Sequence, residues 1–256
     1  MARWGWSRFA PYVSAAEKRA RAAQAVAQLK KQAGKKGRAP EPVVLEGRRI
    51  ANTFWGKAWC DNLESYADFA HRLERGRGYV RAGAVVDLRI DAGTIEARVS
   101  GSDLYKVSVS ITKLKDARWK ALAASCGGRV SSLVGLLRGE LPDEVMRAVT
   151  DRQEGLFPEP RQIRMDCDCP DVAGVCKHVG ATLYGVGARL DARPELLFHL
   201  RGVDPQELIE HATEGLTTAG ESAPAALAGE DLAALFGIEL TTEVAPAPPP
   251  KRRRKR

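Results

Sequence analysis

The chain has 256 residues, of which 44% are hydrophobic and 28% charged, and it contains five cysteines. This length and composition are ordinary for a folded protein of one or two domains, and five cysteines are too few to suggest a secreted disulfide scaffold. No stretch approaches the roughly twenty apolar residues of a membrane helix, and the N-terminus lacks an apolar signal core, so we expect a cytoplasmic protein without membrane contact.

The formal net charge of +8 is unevenly distributed along the chain. Residues 1–40 contain ten basic and one acidic side chain, whereas residues 166–250 contain four basic and 14 acidic ones. A folded domain that grips DNA through its own surface is normally basic, because phosphate contacts supply most of the affinity. The charge pattern therefore favours the basic chain ends over the acidic segment as contacts for nucleic acid.

Residues 1–42 are predicted to form a basic N-terminal arm and linker. The first twelve residues contain four aromatic and two arginine side chains, which could stack on bases or dock on the protein itself. A Ser-x-x-Glu capping pair and a run rich in Ala, Lys, Arg and Gln predict a helix over 15–33. Because its large apolar residues are only Val26 and Leu29, we expect this helix to be exposed, and residues 34–42 to be flexible.

Residues 43–157 are predicted to fold as an α+β domain. Aromatic and leucine residues recur at helical spacing from Asn52 to Phe69, and such a stripe either packs in the core or binds a partner. Three β-like runs joined by turns then predict an antiparallel meander, followed by three more helices. The runs are 79–90, 94–100 and 104–111, and the helices are 113–125, 130–137 and 143–150.

An arginine cluster lies where the aromatic helix meets the predicted sheet. Arginine makes bidentate contacts with phosphate, so the cluster could bind nucleic acid or another anion. The same arginines could instead pair with the nearby Asp68, Glu74 and Asp87. The cluster consists of Arg72, Arg75, Arg77 and Arg81.

Four metal-avid side chains fall within twelve positions as a Cys-x-Cys pair and a Cys-x-His pair. They are Cys167, Cys169, Cys176 and His178. Structural zinc takes four thiolate or imidazole ligands, usually as two close pairs. A disulfide between the first and third cysteine, or inert buried thiols, would account neither for the histidine nor for the acidic surroundings. We therefore expect one structural zinc, with no coordination position left for a catalytic water.

The residues around these pairs predict a β-hairpin followed by a helix. The strand-like run 161–166 leads into the first pair, and Pro170, Asp171 and Gly174 supply turn chemistry in the spacer. Apolar residues recur every three or four positions over 179–190, which is typical of a helix, although three glycines weaken it.

The sequence Asp-Cys-Asp-Cys-Pro-Asp before the spacer and Cys-Lys-His-Val after it resemble the SWIM zinc finger, named for Swi/Snf-type helicase proteins and Mutator-type transposases. The resemblance covers residues 161–202 and implies zinc ligation by the four residues in a ββα arrangement, with a role in binding DNA or protein. Residues 52–111 also resemble the N-terminal part of bacterial SWIM-containing proteins. Such proteins often occur beside a Swi/Snf-type helicase, so the resemblance implies that kind of protein partner.

The finger region, 158–211, is predicted to end in two short proline-initiated helices that carry His199 and His211. Neither histidine has a nearby cysteine, so we expect both to be packing or surface residues. Residues 212–244 are predicted to be a linker with a short helix over 230–237, which could dock on a partner or complete the core.

The tail, residues 245–256, cannot bury apolar surface and is predicted to be disordered. Its last six residues are basic and would attract nucleic acid non-specifically, or would serve as a nuclear-localisation signal in a eukaryotic chain. They are Lys251, Arg252, Arg253, Arg254, Lys255 and Arg256.

These features support three function classes unequally. The favoured one is a non-enzymatic zinc-binding adaptor for a Swi/Snf-type helicase, with DNA contacts through the basic termini, and the alternative is a direct DNA-binding zinc finger protein. An enzyme with a small-molecule substrate is disfavoured, because the spare thiol Cys60, with His71 eleven residues later, has no orienting third group in the sequence.

Overall fold

A four-stranded antiparallel sheet forms the centre of the protein, and its strands follow one another in the order β1-β2-β3-β4. The strands are β1 Val85–Asp91, β2 Thr94–Ser100, β3 Leu104–Ile111 and β4 Ile163–Cys167. In this computed structural model, the described residues are 13–34, 37–127, 129–130, 132–171 and 174–209, with only the backbone for 67–72. They all belong to the unit Met1–Thr217, and the second unit, Thr218–Arg256, lies outside them.

Eight helices accompany the sheet in the described residues, so the α+β prediction is confirmed. They are α1 Ala15–Ala33, α2 Phe54–Glu64, α3 Ala67–Arg81, α4 Asp116–Ser125, α5 Leu133–Arg138, α6 Asp143–Thr150, α7 Lys177–Ala192 and α8 Glu195–Arg201. None of the described helices is long and apolar enough to cross a membrane. The predicted aromatic arm, the linker from 212 onward, His211 and the basic tail with residues 251–256 lie outside the described residues.

The register of the sheet fixes which side chains face the core. Ile95, Ala97 and Val99 of β2 stand opposite Val109, Val107 and Tyr105 of β3, and all six are buried. Strand β4 continues the same layer, because its Cα partners on β3 put Cys167 opposite Val107. The first predicted ligand therefore stands on the inner layer of the sheet, on the side of α7.

The run 79–90 differs from the predicted strand, because residues 79–81 complete α3 and β1 begins only at Val85. Leu73 and Val80 of α3 are buried at helical spacing, and Gly76 between them lies against the backbone of α7. Gly76 thus serves the packing of α3 on α7, and both Gly76 and Gly78 lie inside the helix.

The predicted hairpin also differs from the structure. Strand β4 pairs with β3, and no second strand follows it in the described residues between 168 and 176. The chain leaves the sheet at Asp168, whose carboxylate accepts a hydrogen bond from the Lys106 amide at 2.9 Å. Pro170 then has no N–H with which to continue a ladder. The division at residue 157 stays a prediction, although strands from both sides of it share one sheet.

Helix α1 lies on the opposite side of the sheet from α7. Its Ala22 and Leu29 are buried against Val86, while most of its other residues are exposed. The predicted cap is confirmed, since the Glu17 amide donates to the Ser14 hydroxyl at 3.1 Å. The segment that follows is held at residues 41–43, where the Val43 amide donates to the Val85 carbonyl at 3.0 Å along the edge of β1.

Helix α7 is buried on every side over most of its length, from His178 to Gly187. Its glycines permit this burial. A Cβ on Gly76 of α3 would stand 2.5 Å from the Gly180 carbonyl carbon, and a Cβ on Gly187 would stand 2.6 Å from the Cys60 sulfur of α2. The three glycines that weaken the helix in isolation therefore let neighbouring helices approach its backbone.

Gly76→Ala should destabilise the protein by about 1–3 kcal/mol, because the added methyl overpacks a contact between two backbones. Gly78→Ala is the matched control on the same helix, where a Cβ would meet nothing within 4 Å. That change should stabilise the protein by about 0.5–1 kcal/mol through the helix propensity of alanine. Urea unfolding followed by circular dichroism measures both, and equal effects of the two substitutions would contradict the proposed packing.

Candidate metal centre

The four predicted ligands converge in space. One ligand atom from each of Cys167, Cys169, Cys176 and His178 lies within 4.8 Å of the other three. These four residues are the predicted set, and the structure brings all of them together. The cluster could hold one metal ion.

The spacing within the cluster fits a tetrahedral ion. Nδ1 of His178 lies 3.8 Å from the Cys167 sulfur and 3.9 Å from the Cys176 sulfur. Zn–S bonds of about 2.3 Å place neighbouring ligand atoms of a tetrahedron about 3.8 Å apart. Three sulfurs and one imidazole nitrogen are also the donor set that zinc prefers in structural sites. Nδ1 is therefore the nitrogen that would ligate, and the donor set fits zinc.

The first pair of ligands is held by the edge of the sheet. Cys167 ends β4, and the next residue, Asp168, is bonded to Lys106 of β3 through both its amide and its carboxylate. This double attachment directs the following turn, and Cys169 with it, towards the start of α7. Cys169 is half-buried there.

The second pair of ligands is held by the N-terminus of α7. Cys176 is the residue that caps this helix, and its sulfur accepts a hydrogen bond from the Val179 amide at 3.4 Å. An anionic sulfur at this position is favoured by the helix dipole and by the free amides of the first turn. The same sulfur thus serves as helix cap and as ligand.

His178 is clamped between two tyrosines and is 2% exposed. The Tyr105 ring of β3 stacks on the imidazole at 4.2 Å between centroids, and the Tyr79 ring of α3 meets it edge-on at 5.5 Å. Burial, and secondly the charge of Lys177, lower the pKa of His178 to about 4. The imidazole is therefore neutral at neutral pH, as a metal ligand must be.

The thiols of Cys167 and Cys176 are disfavoured as free thiolates. Burial is the largest cause that raises the pKa of Cys167, and the neighbouring thiols add to it. Burial also raises the pKa of Cys176, although the Val179 amide opposes the shift. Without a cation, these thiols stay protonated at neutral pH. A bound divalent cation would supply the charge that makes three thiolates stable together.

The arginines of the predicted cluster whose side chains are described do not all face the same way on α3. Arg77 faces the protein, where it pairs with Glu64 and donates to the Tyr184 hydroxyl at 2.7 Å. Arg75 and Arg81 are exposed and make no ion pair with the described residues. Arg72 lies in the segment described by its backbone alone. The predicted pairing with Asp87 is not made, because that carboxylate binds Arg89.

Sequence reasoning missed the tyrosine clamp and the packing glycines. Tyr105 follows the alternation of buried and exposed residues along β3, so its side chain could have been predicted to face α7. Tyr79 could not be found in this way, because its segment was read as a strand. The glycine pair 76 and 180 carries no local signal, since it joins residues more than 100 positions apart.

The other two cysteines lie outside the centre. Cys60 is buried, and burial, followed by the charge of Glu64, raises its pKa to about 12. Cys126 is also buried, with a raised pKa caused chiefly by burial. Both thiols pack in the core as small apolar groups. His71, the predicted neighbour of Cys60, lies in the segment whose side chains are not described, and His199 is exposed.

The chain is similar to the uncharacterized protein Rv2102 of Mycobacterium tuberculosis. The two are 32% identical over 187 residues, which are 72% of this chain and 66% of that protein. The chain therefore spans slightly less than two thirds of the length of this relative. No protein-family model matches the chain, and no solved structure matches it.

We expect one zinc per chain, measured by elemental analysis of the purified protein. Cys169→Ser and His178→Ala should lose that zinc, and they should also lose helical signal, because the binding energy of structural zinc is folding energy. Cys126→Ala is the control, since it removes a buried thiol that is not a ligand. Zinc retained at one equivalent, together with an unchanged circular dichroism spectrum, in both ligand variants would contradict the assignment.

Zinc binding at pH 7 should release at least two protons. The thiols of Cys167 and Cys176 are protonated there in the metal-free chain, whereas the imidazole of His178 is already neutral. Each released proton makes the apparent affinity fall about tenfold per unit decrease in pH. Titration calorimetry in buffers of different ionisation enthalpy counts these protons. Release of fewer than one proton would mean that the thiols are not the ligands.

Proposed function

We propose that the protein is a non-enzymatic, SWIM-type zinc protein that serves as an adaptor between a Swi/Snf-type helicase and nucleic acid. One observation carries the proposal: four strong ligands converge within 4.8 Å. A zinc ion held by all four has no open position for water or substrate, in contrast to catalytic zinc sites. The role of the ion is then to join β4 to α7 and to make their surface rigid.

The role of adaptor is supported by how charge is distributed. Residues 166–250, which include the ligands, carry an excess of acidic side chains, whereas both chain ends are basic. A rigid acidic surface is poorly suited to DNA and better suited to a protein partner, while basic ends suit phosphate. The helicase as partner follows from the SWIM resemblance alone. Localisation in the cytoplasm belongs to the same proposal.

A direct DNA-binding role is the second candidate, and one observation favours it. Arg75 and Arg81 of α3 are exposed and unpaired among the described residues. They lie on the helix that packs against α7, so a duplex could contact α3 and the finger together. This candidate requires that the folded body bind DNA without its basic tail.

The two candidates can be separated with the full chain and a tail variant in which glutamine replaces all six residues of 251–256. Under the adaptor proposal, the tail variant should bind DNA at least tenfold more weakly than the full chain at about 150 mM salt. Replacing the six basic residues removes up to six phosphate contacts. Fluorescence anisotropy with labelled duplexes measures this. Both proteins should still recover a Swi/Snf-type helicase from the native cells after nuclease treatment.

Cys169→Ser serves as the control for the partner, because it should abolish recovery of the helicase when zinc is lost. Sequence-selective duplex binding by the tail variant would establish the second candidate instead. The adaptor proposal fails if no helicase remains bound after nuclease treatment.

A further inference from the structure

A basic cavity of about 410 Å³ lies beside the metal centre, where α1, α3, the turn between β2 and β3, and the first residue of α7 meet. Four cationic side chains line it: Lys18 and Arg21 of α1, Arg75 of α3, and Lys177 of α7. Among the described residues that line it, none has an acidic side chain. Segments distant in sequence thus contribute like charges to one small space.

Two of the cations lie over one aromatic ring, and three of the four have no acidic partner among the described residues. The ammonium groups of Lys18 and Lys177 lie 5.5 and 5.8 Å from the centroid of the same ring, that of Tyr79. Within the described residues, Lys18, Arg75 and Lys177 form no ion pair, and Arg21 pairs with the exposed Glu17 at 2.5 Å. Gathering like charges is unfavourable unless an anion neutralises them.

The lining of the cavity fits a phosphate group. Four cationic side chains line it together with the hydroxyls of Ser100 and Ser102. A phosphate carries one or two negative charges and several acceptor oxygens, and the guanidinium of Arg75 can bind two of those oxygens at once.

The cavity borders the metal centre. A Cβ on Gly101 would stand 3.0 Å from Nε2 of His178, and Gly101 lines the cavity. Glycine therefore lets the turn between β2 and β3 lie close against the ligand histidine, so an anion held in the cavity would stand next to the metal centre.

We propose that this cavity binds a phosphate group next to the zinc finger, with a nucleic-acid strand as the source of that phosphate. The proposal rests on the proposed function only for the choice of nucleic acid as the source of the phosphate, because the cavity by itself indicates only that a phosphate group binds. The finger would then contribute to nucleic-acid binding through Lys177 at the start of α7, while its acidic surface stays free for the protein partner.

The test compares Lys18→Gln/Arg75→Gln with the control Lys30→Gln in the full-length, zinc-loaded chain. Lys30 lies on the same helix as Lys18, is exposed and does not line the cavity. A labelled single-stranded oligonucleotide is the first probe, read by anisotropy across a range of salt. The double variant should bind at least tenfold more weakly with a shallower salt dependence, and Lys30→Gln should stay within about twofold.

Lys18→Arg/Arg75→Lys preserves the charges and should bind within a few-fold of the parent chain. Inorganic phosphate is the second probe, followed by amide NMR shifts at Gly101 and Lys177, which should saturate in the parent chain and vanish in the double variant. Saturation by phosphate without oligonucleotide binding would keep the phosphate site and refute nucleic acid as its source.

The proposal is overturned if the double variant retains full zinc content and binds both probes as tightly as the parent chain. Zinc content and recovery of the helicase, measured on the same variant, distinguish this outcome from failure of the adaptor role. A double variant that recovers the helicase but not the oligonucleotide supports both proposals.

Discussion

The close approach of α7 to its neighbours is the contact on which the rest of the structure depends. Where Gly180 meets Gly76 and Gly187 meets Cys60, helices touch at distances that any Cβ would prevent. The sheet supplies the third wall, through Leu88 and Val85 around Gly185. A helix enclosed on all sides cannot shift along its axis, so its first turn stands in a fixed position. That turn carries two of the four ligands and one wall of the basic cavity.

The metal centre joins two elements from different layers of the structure. Cys167 ends the last strand of the sheet, and Cys176 begins the central helix. The tyrosines that hold His178 come from β3 and α3, so the imidazole also connects the sheet to the helical layer. The cavity lies on the far side of that imidazole. The metal centre and the cavity therefore lie on opposite sides of one imidazole, and the two tyrosine rings pack around it.

The sequence allowed the ligands, the fold class and several elements to be predicted, because each has a local signal. The Cys-x-Cys and Cys-x-His spacing marks the metal, and the alternation over β2 and β3 marks their strands. The end of α3 and the partner of β4 were not predictable in this way. From the local sequence alone, Gly76 and Gly78 predict the end of a helix. Only the contact with the distant Gly180 explains why Gly76 lies inside α3. Strand β4 pairs with a strand more than fifty residues earlier, which no local pattern specifies.

The position of the ligands has a consequence for the order of assembly. All four lie within twelve positions of each other, so chelation closes a short loop, whose entropy cost is small. The contacts of α7 with α3, and of β4 with β3, instead join segments far apart in the chain and are slow to find. A metal ion bound at the four residues would therefore unite the edge strand and the central helix early. The remaining search would then involve one joined unit, where it would otherwise involve two separate segments.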